Sequence, residues 1–428
     1  MKILKNITVF TMVMLLSVST VLEAREKNIS NFSSSASNLV DSTGTFDGNK
    51  IYADVANNGL FLDYHVSGDS ALEWPKGTGV HSIFQSALWM GATVNGSIRT
   101  IVGDYTQDMG PGPWGGDPLA AVHRIYKVEK SMLASPLDFA DFQEWPVEFG
   151  APWVDVDGDG VYTPLPGGTD HPEFLGDQVL WFVSNDGDPA YKLNFGTSPM
   201  NVEIQTTMFG FDRPDVFGDM VFLKQLVINK GSDDLVDTYM GLWSDPDLGY
   251  AGDDFVGCDV ALGMGYVWND GDDSQYSTLD IGTPAAGYDF FQGPMVPCED
   301  GDSEEVCPTE GAKMFGTRHP GMKNLKLSSF AFYINGDATY TDPSDETEGY
   351  FYLQGLRKDG SAYPAEIAGD LYDQRFCFYG DPNDSAGHST ANPVDGNYAA
   401  SADRRFLMSV GPFTMAAGDS QEVVFGIF

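Results

Sequence analysis

MVFLKQLVI, residues 220 to 228, decides the fold. Side chains of an extended chain alternate between two faces, so Met220, Phe222, Lys224, Leu226 and Ile228 share one and Val221, Leu223, Gln225 and Val227 the other. The run is rich in β-branched and long apolar residues and is followed by the turn formers Asn229-Lys230-Gly231-Ser232, which marks a strand. Both faces are mostly apolar. That predicts a central strand covered on both sides, in the middle of a β-sandwich.

Working outward, similar apolar runs recur between Asp/Gly/Pro loops. The turn at 229–232 leads into Leu235 to Trp243 and is read as a hairpin. Ala87 to Val94 and Ile98 to Val102 flank Asn95-Gly96, a pair that tolerates the positive φ of a tight turn. Phe330 to Ile334 is expected to turn at Asn335-Gly336-Asp337 into a strand over Ala338 to Tyr340. The single helix start expected is Ser135-Pro136-Leu137-Asp138, with Ser135 as N-cap and a stop before Pro146. With 49 Gly and 24 Pro, the fold class is all-β: one large or two intimately packed sandwiches with long Asp/Gly-rich loops and little helix.

The 428 residues include 23 Lys or Arg against 62 Asp or Glu, a net charge of −39. Such a field repels polyanions, which excludes nucleic acid as a partner and disfavours an anionic membrane surface. The acids are 46 Asp and 16 Glu. Asp caps turns through its short carboxylate and also ligates hard cations, so the excess of Asp points to loops and to metal.

Residues 1–24 carry Lys2 and Lys5, an apolar stretch from Ile7 to Leu22, and Glu23-Ala24, the pattern of a secretory signal peptide. The alternative, a membrane anchor, needs a longer run, and the mature chain has no candidate span. Residues 25–46 read as a flexible Ser/Asn-rich leader, with structure beginning near Ile51. An N-terminal β region over 47–215 and a C-terminal β-sandwich region over 216–428 are expected to follow. Four cysteines suit an exported protein. Cys298 and Cys307 bracket an acidic loop and are expected to pair, leaving Cys258 joined to Cys377 or free. A zinc site is not expected, since no CxxC pair or His cluster is present.

The sharpest motif is Asp155-Val156-Asp157-Gly158-Asp159-Gly160-Val161. Acids at positions 1, 3 and 5, Gly at 6 and a carbonyl donor at Val161 match the first half of a calcium loop. Position 12, where a Glu is expected, is Pro166, so a later acid such as Asp170, Glu173 or Asp177 must complete the shell. The bland alternative is a turn whose aspartates cap their own backbone. Weaker acidic clusters are Asp245 and Asp247 with Asp253-Asp254, then Asp270, Asp272 and Asp273, then Asp300 and Asp302. GxSxG, HExxH and GxxxxGK signatures are missing, and no catalytic residue is assigned. Trp-Asp neighbours at 153–155, 243–245 and 268–270 read either as strand-end packing or as a sugar platform.

WPKGTGVHSIFQSALWMGATVNG (74–96), GAPWVDVDGDGVYTP (150–164), FLGDQVLWFVSND (174–186), the stretch from MFGFDRPDVFGD to GYAGDDFVGCD (208–259), AAGYDFFQGP (285–294) and ADRRFLMSVGPFTMAAGDSQEVVFGIF (402–428) carry a resemblance over most of the mature chain. The sequence resembles a family of large exported proteins from Bacteroidetes-related and environmental bacteria, of unknown biochemical function. The resemblance implies further β-sandwich modules and a C-terminal type IX secretion sorting domain in the parent. This sequence stops inside an apolar strand at Phe428 without them, and is expected to be truncated. The resemblance brings no catalytic site. The expectation is therefore a secreted or cell-surface structural or adhesive protein stabilised by calcium, with polysaccharide or cell-surface components as partners. The competing reading is a carbohydrate-binding module or a carboxylate-dependent glycoside hydrolase or lyase.

Overall fold

Alternation along residues 221–229 appears directly in burial. Val221, Leu223, Gln225, Val227 and Asn229 are buried, whereas Phe222, Lys224, Leu226 and Ile228 are half-buried. The computed structural model describes residues 43–165, 170–382 and 400–428. The expected signal peptide, and the leader over 25–42, lie outside the described residues. The last residues of the expected leader, Thr43–Phe46, form a strand paired with Tyr52–Ala56, so regular structure starts before Ile51.

In chain order the strands begin with β1 (Thr43–Phe46), β2 (Tyr52–Ala56), β3 (Leu72–Glu73) and β4 (His81–Ile83), then β5 (Gln85–Val94), β6 (Ser97–Ile101), β7 (Gly110–Pro111) and β8 (Tyr126–Glu129). There follow β9 (Trp153–Val154), β10 (His171–Pro172), β11 (Gln178–Asn185), β12 (Val202–Gly210), β13 (Val221–Asn229) and β14 (Leu235–Asp245). Next are β15 (Asp254–Asp259), β16 (Met264–Asn269), β17 (Ala286–Gln292), β18 (Met295–Pro297), β19 (Ala312–Met314), β20 (Thr317–His319) and β21 (Met322–Asn324). The last are β22 (Ser329–Ile334), β23 (Arg404–Met415) and β24 (Ser420–Ile427). Among the described residues there are three short α-helices, none long and apolar enough to cross a membrane.

The fold is all-β. A nine-stranded sheet runs β15-β16-β17-β24-β13-β12-β11-β7, with β8 also paired to β11, and a five-stranded sheet runs β22-β23-β14-β5-β6. The two face each other across the main core. Tyr288 of β17 bonds through its hydroxyl to Ser86 of β5 and to Ser244 of β14 (2.9 Å), and its ring meets Phe406 of β23 edge-on at 5.5 Å. The boundary expected at 215/216 falls between β12 and β13, which are paired neighbours, and the described residues form one compact unit.

β13 is central, flanked by β12 and β24, but it is fully buried on one face only. Its outer face is shielded edgewise: Phe222 stacks on Phe209 of β12 at 5.3 Å and touches Phe291 of β17 at 5.9 Å. Full burial on both sides falls instead to β11, between the main and the smaller core, and to strands of the five-stranded sheet. The second face of that sheet is covered by helix Glu346–Leu353, admitted by glycines: a Cβ on Gly91 would lie 2.6 Å from the Tyr350 ring, and one on Gly241 2.9 Å from Leu353.

The Asn95-Gly96 hairpin joins β5 to β6 with both residues at positive φ, 51° and 80°. The other two expected hairpins are not hairpins. β13 and β14 belong to different sheets, and the connection is an arch held by the Asn229 amide, which donates to the carbonyls of Asp233, Met415 and Ala416. A short polar connection serves an arch and a hairpin equally, so turn chemistry did not separate them. After β22 the Asp337 carboxylate accepts the N–H groups of Thr339 and Tyr340 (2.7 and 2.8 Å), keeping 338–340 a turn, while β22 pairs with β23.

Ser135 makes no side-chain cap; a 3-10 turn (Pro136–Asp138) and a single helical turn (Ala140–Gln143) follow it. The helix with a real cap is Glu346–Leu353, where Asp345 accepts from the N–H groups of Thr347 and Glu348, both at 2.9 Å. A smaller core lies beside β8 and β11 and includes Tyr126, Phe142, Trp145, Val179 and Trp181. It anchors the loop considered next.

Candidate metal centre

The loop from Asp155 to Asp170 is closed at its base by a two-stranded ribbon in which His171 of β10 lies opposite Val154 of β9, and Pro172 opposite Trp153. The next facing positions are Asp155 and Asp170. The ribbon is seated on the smaller core: the rings of Trp153 and Tyr162 meet edge-on at 5.6 Å, and the Tyr162 hydroxyl donates to the Phe142 carbonyl at 2.6 Å. Antiparallel pairing therefore delivers a distant acid to the start of the motif.

Asp155, Asp157, Asp159 and Asp170 each present a carboxylate oxygen, and these oxygens lie within 4.8 Å of one another. Backbone donors aim them. Asp155 accepts from Gly158 N–H (2.7 Å) and Gly160 N–H (3.0 Å), Asp157 from Asp159 N–H (3.2 Å), and Asp159 from Val161 N–H (2.8 Å). Gly158 and Gly160 adopt φ of 77° and 76°, which only glycine takes without strain, and this winds the loop tightly enough for alternate side chains to converge. Asp170 accepts from Val156 N–H (2.9 Å), Thr163 N–H (2.8 Å) and the Thr163 hydroxyl (3.2 Å). Those bonds, that of the Thr163 N–H foremost, hold its carboxyl below the usual carboxylate range despite its burial.

The other expected ligands fall differently. Val161, expected through its carbonyl, has an exposed side chain and donates its N–H to Asp159. Glu173 follows the ribbon on its far side, where its N–H donates to the Pro152 carbonyl at 2.9 Å, and it does not join the four acids. Asp177 accepts the Asp212 N–H (3.0 Å) and faces Lys130 (3.8 Å). Pro166 lies outside the described residues. Among the described residues, no Lys or Arg forms an ion pair with any of the four acids.

Set against models of known protein families the chain matches none, and none of the curated proteins matches it.

The weaker acidic clusters are engaged in other ways. Asp302 and Glu299 face Lys323 at 2.9 and 3.4 Å, inside the loop closed by the expected Cys298–Cys307 disulfide. Asp273 is buried and accepts the N–H groups of Tyr250, Gln275 and Tyr276, a turn-capping role. Asp245, Asp247 and Asp403 also come within 4.8 Å, but Arg405 sits among them, 3.1 Å from Asp245 and 3.4 Å from Asp403. Asp245 also accepts the Tyr105 hydroxyl at 2.7 Å, and burial pushes its carboxyl up to about 6 against the pull of Arg405. This buried network was not foreseen; its one sequence signal is the Arg404-Arg405 pair entering an apolar strand. Cys258 and Cys377 are free and buried, with the Cys258 thiol 3.5 Å from the Cys377 carbonyl.

Of the Trp-Asp neighbours, Trp243 is buried against Trp89, Trp268 stacks on Phe255 at 5.0 Å, and Trp153 packs on Tyr162. Among the described residues Trp114 is the one well-exposed tryptophan. The described surface therefore offers no row of indoles for a sugar chain.

Proposed function

We propose that the 155–170 loop holds a calcium ion and that the protein is an exported, calcium-stabilised β-sandwich with a structural or adhesive role at the cell surface. The observation that carries the ion is the convergence of four carboxylates without a cationic side chain. At such separations four like charges repel unless a cation joins them, and a hard divalent ion with oxygen ligands suits the donor set. The Asp170 carboxylate, supplied by the ribbon, adds a fourth acid to the three of the motif, which supports its reading as the later ligand that Pro166 cannot be. Export is supported by residues 1–24 and by the Cys298–Cys307 bridge, which suits an oxidising compartment. The resemblance to large exported proteins points the same way. A polysaccharide-directed activity draws no support from the placement of the tryptophans.

Calorimetric titration of the chelator-treated protein with calcium is the test. Saturable binding is expected, weakened at least about tenfold by Asp157→Ala and by Asp170→Asn. Identical heats for wild type and both variants would refute the site.

A further inference from the structure

A cleft of about 410 Å³ opens between the β1–β4 sheet and the nine-stranded sheet where β17 and β24 end. Its size is that of a small-molecule site. Trp74, Phe291 and Phe428 line it, and the rest of the lining is largely aliphatic. Two carboxylates reach it, and they differ. Asp219 is already engaged, accepting the Trp74 indole N–H at 2.9 Å and the Lys50 ammonium at 2.7 Å. Asp289 is half-buried and, among the described residues, has no side-chain hydrogen bond or ion pair. Burial alone raises its carboxyl from the ordinary range, with no partner pulling the other way.

The ring beside that carboxylate is fixed in place. Phe291 occupies a bulge where β17 passes β24, and it is half exposed although it lies over the sheet. Gly426 makes its seat: a Cβ there would stand 2.7 Å from the ring. An aromatic face and an unanswered carboxylate thus share one apolar cleft.

We infer that this cleft binds a small organic cation with an apolar body, its ammonium group on Asp289 and its body against Phe291 and Trp74. A neutral apolar ligand would strip water from Asp289 without replacing it, and an anion would meet two carboxylates in a molecule of net charge −39. A sugar would lose hydration at hydroxyls that these walls do not satisfy. A cation supplies the missing ion pair and gains from the ring faces. The site is separate from the 155–170 loop and does not depend on the calcium reading.

The experiment titrates the full chain with 2-phenylethylammonium, the matched alcohol 2-phenylethanol and the anion phenylacetate, at high salt to suppress diffuse attraction, following methyl NMR signals of Ile83 and Ile427. The ammonium is expected to bind about tenfold more tightly than the alcohol, with phenylacetate weakest. Asp289→Asn should remove the ammonium's advantage and leave the alcohol unchanged, while Phe291→Ala weakens both. Equal affinity for the three probes in the wild type, shifts confined to other parts of the molecule, or a preference that survives Asp289→Asn would each overturn the inference. Because the wild-type comparison needs no variant, a misfolded mutant would not rescue it.

Discussion

Asp104 should make the folded state less stable as pH rises. It follows β6, is 8% exposed, accepts the Thr106 N–H at 3.2 Å, and has Asp342 and Asp108 as charged neighbours of the same sign. Burial is the main cause that pushes its carboxyl up from 3.8 to about 7, with Asp342 and Asp108 adding to it and the Thr106 and Asn194 hydrogen bonds opposing. Between those two values the unfolded chain has released the proton and the folded chain still holds it, so stability falls as pH increases through the window. A difference of about 3 units corresponds to about 4 kcal/mol lost by the time the folded carboxyl ionises. Asp104→Asn keeps the acceptor for Thr106 and carries no charge at any pH. Urea unfolding of both proteins between about pH 4 and pH 9 should show the variant gaining on the wild type by up to about 4 kcal/mol across the window, with a plateau above it. Comparing the two at each pH cancels the titration of the other acids. A difference that stays flat with pH, or a wild type that gains on the variant, would show that the carboxylate is ionised and accommodated throughout.

Lys192 is buried with its ammonium 3.2 Å from Asp108 and 3.8 Å from Asp186, so Lys192→Met, which strands two buried carboxylates, should cost about 3–5 kcal/mol in urea unfolding; a loss within about 0.5 kcal/mol would mean that the acids are neutral or find other partners. Ellman's reagent should find no thiol in the native protein and two per chain after unfolding without reductant, from Cys258 and Cys377. Four would disprove the Cys298–Cys307 bridge, and none would join the buried pair. Amide exchange should be slowest at Met240–Ser244 of β14, between two covered faces, and faster at the outward residues Phe222 and Lys224 of β13; the reverse order would place the helix 346–353 cover wrongly.

What was legible in the sequence was local. Alternation, the Asn95-Gly96 turn and the Cys298–Cys307 spacing are set by neighbours a few residues apart, and the chain adopts each. Two-sided burial was assigned to the wrong strand because apolar residues on both faces of β13 look alike whether a layer or adjacent rings cover them. β5 and β14 carry the glycines that admit a covering helix, and a glycine in a strand reads as weakness until its neighbour is known. Asp345 was overlooked as a cap although Ser344-Asp345-Glu346 has suitable chemistry, since no long apolar periodicity follows it. At the 155–170 loop the three motif aspartates were readable from spacing. The choice of Asp170 over Glu173 was not, because it depends on the register of the β9–β10 ribbon.

The excess of aspartate is spent in separable ways, and that is what singles out one loop from many. Asp273, Asp337 and Asp345 satisfy backbone N–H groups at turns and a helix start. Asp108, Asp186 and Asp245 are buried beside Lys192 or Arg405, whose charge makes their burial tolerable. At Asp155, Asp157, Asp159 and Asp170 the first compensation is present and, among the described residues, the second is not. Backbone donors orient the carboxylates without neutralising them, and Asp170 is held ionised when burial alone would favour its protonated form. Asp170, brought in by a separate strand pairing, caps Val156 and Thr163 and at the same time adds a fourth carboxylate to the three of the motif. Asp289 shows the same imbalance at a single carboxylate inside an apolar cleft. In both places negative charge stands, among the described residues, without an answering cationic side chain, and this is the shared ground of the two proposals, a compact ion among the converging oxygens of the loop and an ammonium with an apolar body beside Asp289 and Phe291.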